Sequence, residues 1–452
     1  MLKSILTTSV LAVFFVISFN SYSQEMPDDL KMYEIIDEVS AERLETDIRK
    51  LAGFGTRHTM SDTVSKTRGI GAARRWIKAE FEKISKECGN CLEVYEQRTL
   101  VKADPETRIY EDTYVVNIYA IQKGTDYPNR YAIMSGDIDS RASDVKNYKI
   151  DAPGANDNAT GMAGAIEAAR VLSKHKFKSS IIYAGLSGEE QGLYGGKFLA
   201  EKAKEEGWEI IGILNNDMIG NIEGVDGVID NRSFRIFSEP YSSTSTERSL
   251  LMKRFYGGEN DGDSRQLARF VYETTKAYMP EMNPIMIYRL DRFGRGGHHR
   301  PFNELGFSGV RIMEAHENYN RQHQDIRIED GIAYGDVIEG VNFAYCAKMT
   351  AVNAIVLAAM ASGPASPTDV KVGGIVQPSA KLSWGKVDGA KGYKVYWRET
   401  TSAVWQYSRY VGDVSSFTLE GIVLDNFLFG VGSVGENGYE SVIAYPTGVL
   451  RN

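Results

Sequence analysis

The sequence is poor in cysteine, has no basic tract and, beyond its start, no long apolar run. Three cysteines in 452 residues cannot build the disulfide framework of a stapled miniprotein. The chain must hold itself together by apolar burial, for which a length of about three typical domains of ~150 residues is ample. Lys and Arg number 52 against 60 Asp and Glu, a formal net charge of −8. No run of positive charge supplies the phosphate-neutralising footprint of a nucleic-acid binder, so nucleic acid is discounted as a partner. Past the first two dozen residues no stretch reaches the ~18 consecutive apolar residues of a bilayer crossing, and no transmembrane segment is expected. A composition of 42% apolar and 25% charged residues argues against disorder as the main state of the chain.

At the start, Lys3, an apolar core from Val10 to Ile17 and small residues at Ser21 and Ser23 read as a secretory signal peptide over residues 1–23, which places the protein outside the cell or in a periplasm. No Cys follows the expected cut, which argues against a lipid anchor. The leader carries one Lys and no acid, so its removal takes the charge from −8 to −9. In an exported protein Cys88-Gly-Asn-Cys91 reads most simply as a local disulfide, with a redox or zinc role as the alternative. Cys346, among apolar residues, reads as buried.

Residues 24–110 look largely helical, with Leu44, Ile48 and Leu51 at helical spacing and Trp76, Ile77 and Phe81 repeating it. Short apolar runs then alternate with helical stretches: Tyr114–Ile121, Tyr131–Met134, a helix near 160–172, Ser180–Leu186, a helix near 193–204, and Ile210–Leu214. That alternation predicts an α/β sheet covered by helices on both faces, with ligands at the carboxyl ends of the strands. A Gly, Pro and Ser-rich linker at 362–368 ends this region, taken as residues 24–361. Beyond it, over 369–452, short strands separated by turn residues predict an all-β sandwich.

Acidic residues gather where the predicted strands end. Asp137 and Asp139 follow the Tyr131 run, Asp157 sits in Gly-Ala-Asn-Asp-Asn-Ala-Thr-Gly before a helix, Glu189 and Glu190 follow the Ser180 run, and Asp217 follows the Ile210 run. Singly each has an ordinary explanation: Asp157 as a helix N-cap, the two glutamates as acids at a helix start, Asp217 in an Asx turn. Together they would repel one another unless a cation neutralises them, and a metal centre is the economical explanation.

The Asp157 segment, Ser187-Gly-Glu189-Glu190-Gln-Gly and Asn215-Asn-Asp217-Met resemble, in order and spacing, the successive metal motifs of the M28 metallopeptidases, the co-catalytic zinc aminopeptidases, across residues 40–350. The resemblance implies a three-layer α/β/α fold with a central mixed, mostly parallel sheet, and two zinc ions. It implies that Asp157 bridges the metals, that Glu189 is the general base, and that Glu190 and Asp217 each ligate one ion. A final histidine ligand falls at His323, with His316 as the alternative. It also implies that Asp139 supports the metal site. From their places in the chain, His299 reads as a residue of the site wall or one supporting the ligands, Tyr319 as an oxyanion donor, and His58 and His175 as structural or exposed. One departure stands out: Asp137 occupies the position of a family histidine. One shell would then be Asp137, Asp157 and Asp217, all hard oxygen, and would be weaker for zinc or hold Mn, Mg or Ca.

Trp384, Tyr393–Trp397 and Phe427–Val431 resemble a fibronectin type III module, with Phe427 in place of a corner tyrosine. The expected function is that of a secreted metal-dependent exopeptidase, an aminopeptidase acting on peptides or proteins. A one-zinc glutaminyl cyclase and a catalytically weak binding protein are the rivals.

Overall fold

The computed structural model describes residues 29–450, so the signal-peptide expectation for residues 1–23 lies outside it. Helices α1 (Asp29–Glu38), α2 (Ala41–Ala52) and α3 (Gly69–Glu87) come first, followed by strands β1 (Leu92–Val101), β2 (Thr113–Gln122) and β3 (Tyr127–Asp137). The centre of the chain runs α4 (Ala159–Leu172), β4 (Ser179–Leu186), α5 (Tyr194–Glu205), β5 (Glu209–Asn216), β6 (Ser233–Phe237), α6 (Glu247–Phe255) and α7 (Asp263–Tyr278). Then come β7 (Asn283–Ile287), α8 (His299–Glu304), β8 (Gly309–Glu314), the small hairpin β9 (Arg327–Glu329) and β10 (Ile332–Tyr334), and α9 (Phe343–Ser362).

Eight strands form one mixed sheet in the order β1-β2-β4-β3-β5-β8-β6-β7. The four central strands β4, β3, β5 and β8 are mutually parallel. Strand alternation decides the layering, because successive side chains leave opposite faces. On β4, Ile181 and Tyr183 join the core made with α1, α2, α3, α4, α7 and α9, whereas Ile182, Ala184 and Leu186 join the core made with α5 and Phe302 of α8. On β3, Ala132 and Met134 face the first core and Tyr131 and Ile133 the second. The result is the expected three-layer α/β/α arrangement.

Two segments depart from the sequence reading. Residues 92–101 are a strand rather than part of the helical layer. β1 is the sheet edge, pairs antiparallel with β2 and leaves alternate residues in water, which hides the apolar signal. The Cys88–Cys91 disulfide lies in the turn joining α3 to it. Helix α9, long and apolar enough by composition to cross a membrane, is mostly buried here against α4, α7 and β3, with Cys346 in the same core.

Beyond residue 367, β11 (Thr368–Gly373), β12 (Ser379–Gly385), β13 (Gly392–Glu399), β14 (Tyr407–Gly412), β15 (Ser416–Glu420), β16 (Phe427–Val434) and β17 (Gly448–Val449) form a four-stranded and a three-stranded sheet. They enclose a core of their own that includes Leu382, Trp384, Tyr393, Val395 and Val431. This all-β part is tied to the α/β part by buried charge. Asp261 accepts from Arg398 Nη2 at 2.7 Å and from Arg269 Nη1 at 2.6 Å, and Arg269 Nε donates to Ala403 O at 2.7 Å. Arg398→Met leaves Asp261 with Arg269, so the losses are charge-assisted hydrogen bonds to Asp261 and Ser402 O and the guanidinium's place over the Trp405 ring. We expect the urea midpoint to fall by an equivalent of about 1–3 kcal/mol, with kcat/KM on a small substrate unchanged.

Candidate active site

The parallel register aligns the carboxyl ends of three strands: Asp137 lies opposite Leu186, and Ser135 opposite Asn215. The chain leaving each strand then carries an acid to the same edge. Close approach helps, since a Cβ on Gly136 would collide with the backbone of Gly161 at the start of α4. Asn158, not Asp157, caps α4, its side chain accepting from Gly161 N at 3.0 Å. Asp157 is thereby free to face the cleft, and the Asp336 carboxylate holds its amide at 2.7 Å. The Asp139 carboxylate accepts from Glu189 N at 3.2 Å and Glu190 N at 3.1 Å, which fixes the turn presenting both glutamates. Burial, then the charge of Glu190, pushes Asp139 up to about 6. Met218 and His323, at φ 62° and 55°, take the left-handed conformation uncommon for non-glycine residues, as chain segments at functional sites often do.

His323 Nε2 lies 2.8 Å from Glu190 Oε1 and 3.0 Å from Asp157 Oδ2. Among the described residues, Asp157, Glu190 and His323 are a group whose donor atoms all fall within 4.8 Å of one another. Burial disfavours the His323 cation, yet the two carboxylates outweigh it and raise this histidine to about 9. Asp157 is held below the usual carboxylate range by the same contact, against its burial. One imidazole and two carboxylates with an open side fit a catalytic zinc ion, which takes three protein ligands and keeps one position free. The open side is a cleft of about 770 Å³ whose wall includes Glu189, Asp217, Arg292 and Arg295. Burial and the neighbouring carboxylates of Glu190, Asp217 and Asp137 push the Glu189 carboxyl well above its ordinary range.

Asp137 and Asp217 lie outside that group and meet other partners. Arg311, 0% exposed, places Nη2 2.7 Å from Asp217 Oδ2, an ionic contact without hydrogen-bond alignment, and Nη1 2.8 Å from Asp291 Oδ1. Asp137 Oδ2 accepts from Asn158 Nδ2 at 2.7 Å, while its Oδ1 faces His298 Nε2 at 3.5 Å. His298 Nδ1 accepts from Gly196 N at 3.0 Å, so its proton sits on Nε2. The buried polar atoms here without hydrogen bonds are therefore mixed: acceptors Asp137 Oδ1 and Asp217 Oδ1, donors Arg311 Nε, Arg311 Nη2 and His298 Nε2. A cation site presents acceptors alone, whereas a mixed set suits water. Such a set does not favour the expected second metal in an Asp137, Asp157 and Asp217 shell, since beside Asp217 a guanidinium already supplies neutralising charge. Burial still holds Asp217 up to about 7 despite Arg311.

The remaining expected residues divide. His299 is fully buried behind the cleft, its backbone amide donating to Asn215 Oδ1 at 3.0 Å and its Nε2 lying 3.0 Å from Leu290 O, so it supports β5 instead of walling the site. Tyr319, 57% exposed, does not line the cleft and is not placed as an oxyanion donor. His316 sits 3.8 Å from Asp230, outside the metal group. His58 packs beneath the site, its Nε2 2.8 Å from Val145 O. Sequence reasoning missed Arg311, His298, Asp291 and Asp336. Only Arg311 carries a signal: a charge inside the apolar run Gly309-Val-Arg-Ile-Met in a strand of a buried parallel sheet must meet a carboxylate.

Residues 117–335 match the sequence pattern of peptidase family M28. A relative from Pyrenophora teres f. teres, named a probable zinc metalloprotease, is 42% identical over 427 residues, 93% of this chain and 87% of its own. The LapA aminopeptidase of Legionella pneumophila shares the fold at a TM-score of 0.51 and 17% identity, over 78% of this chain and 80% of its own. A Macrostomum lignano glutaminyl cyclase does so at 0.51 and 14%, over 74% and 94%. The match spans the segment that bears every cleft carboxylate, and the Pyrenophora relative is covered over most of its length: the chain belongs to peptidase family M28.

Proposed function

We propose that the protein is a zinc-dependent exopeptidase, an aminopeptidase, working with one zinc ion per chain held by Asp157, Glu190 and His323. The observation that carries this reading is the placement of Glu189, an unligated carboxylate in the cleft wall, one residue from a metal-binding glutamate. The name of the Pyrenophora relative supports zinc, and the Cys88–Cys91 disulfide supports export.

When bound, zinc would polarise a carbonyl and make water acidic near neutral pH. Glu189 then acts as the base: its carboxylate accepts a proton from the attacking water and returns it to the departing amine nitrogen. Asp139 keeps that carboxylate aimed by gripping the Glu189 and Glu190 amides. Arg311 and His298 hold Asp217 and Asp137 in place of a second ion.

The one-metal geometry favours a second reading, a cyclase acting on N-terminal glutamine. Metal analysis of the purified chain, with aminoacyl reporters and a glutamine-leading peptide assayed side by side, separates the two. One zinc with reporter hydrolysis is the expected result. Cyclisation without hydrolysis would transfer the assignment to the second reading, and two tightly held ions per chain would overturn the one-metal centre.

A further inference from the structure

A second cavity, of about 640 Å³, opens between α3, the edge strand β1 and the loop at residues 59–63. Arg74, on the inward side of α3, lines it and is 7% exposed. Its Nε and Nη2 are buried without a hydrogen-bond partner, and so is the hydroxyl of Thr59, another residue of the wall. Among the described residues no carboxylate lies within ion-pair distance of this guanidinium. The acids lining the same cavity are already engaged: Glu96 with Lys78 and Arg98, Asp112 with Lys102, and Asp62 with the amides of Val64 and Ser65. Glu111 stands exposed at the surface. Asp139, the carboxylate that acts most strongly on Arg74 through space, is taken up by the Glu189 and Glu190 amides.

A buried guanidinium with open donors is costly unless something occupies them, and its planar fork matches carboxylate and phosphate oxygens. We propose that this cavity is a binding site for a small oxyanion, with Arg74 and the Thr59 hydroxyl as its donors, separate from the metal centre. Burial lowers the Arg74 guanidinium to about 10, so it remains a cation at physiological pH.

The test is calorimetric titration of the metal-loaded full chain with sodium acetate and, separately, sodium phosphate at constant ionic strength. The two arms distinguish a planar carboxylate from a tetrahedral anion. At least one should bind saturably, Arg74→Met should weaken it at least about tenfold, and His323→Ala, which damages the metal centre, should leave it unchanged. Binding lost in His323→Ala but kept in Arg74→Met would assign the anion to the metal and overturn the proposal, as would no binding of either anion. If Arg74→Met does not fold, Thr59→Val decides: several-fold weaker binding supports the site and unaltered binding removes it.

Discussion

Glu189→Gln is expected to lower kcat by about 10²- to 10⁴-fold, the usual loss when a general base is removed, while metal content stays as in the parent chain. The amide keeps the shape of the side chain and cannot accept the proton. Stability should hold or rise. The parent carboxylate is buried and repelled by Glu190, Asp217 and Asp137, so a neutral group at that place relieves strain that the ionised form must carry. The measurements are kcat on an aminoacyl reporter, zinc by elemental analysis and the thermal midpoint. Because the three readouts are independent, a ligand role is recognised at once: zinc would leave with the side chain. Full activity in the variant would move the base elsewhere, and Glu190, held by His323 at 2.8 Å, could not take its place without leaving its proposed role as a ligand.

What could be read without coordinates follows the range of the forces concerned. Strands β3, β4 and β5 announce themselves because central parallel strands are buried on both faces and read as unbroken apolar runs. Glu189, Glu190 and Asp217 are legible for the same reason, each falling just past such a run, and Asp157 is legible from its motif just before a helix. β1 is not legible, since an edge strand wets alternate residues and its pattern mixes with the preceding helix. The distinction between Asp157 and Asn158 as the cap of α4 turns on one hydrogen bond and lies below what composition resolves. The fate of Asp137 and Asp217 was hidden most deeply. It depends on Arg311, nearly a hundred positions further on, and on His298, whose tautomer is set by the Gly196 amide. Local sequence shows a cluster of acids and the need for positive charge, but not whether an ion or a distant side chain supplies it.

Arg311→Met tests that last point, and we expect it to destabilise the fold by about 3–5 kcal/mol, the range seen when one member of a buried ion pair is removed. Most of the cost falls on Asp291. It is almost completely buried and bonded to Arg311 through both oxygens, at 2.8 and 3.0 Å, and Arg311 helps to hold its carboxyl below the ordinary range against burial. Asp217 adds less, because burial already lifts it to about 7 with the arginine present and it can escape the loss by taking up a proton. The pH dependence follows from these directions. In the parent chain Asp291 favours the folded state when ionised, a contribution present above its unfolded value and lost only in strong acid. Without Arg311 its folded value rises above the unfolded one, so stability is then lost as pH increases. The gap between variant and parent should therefore be smaller at pH 5 than at pH 8. Arg311→Lys should recover only part of the loss, since one ammonium cannot span Asp217 and Asp291 as the guanidinium fork does. Urea midpoints at the two pH values measure both effects. An unaltered midpoint in Arg311→Met, together with a second tightly bound metal in the parent chain, would return Asp137 and Asp217 to the role of ligands.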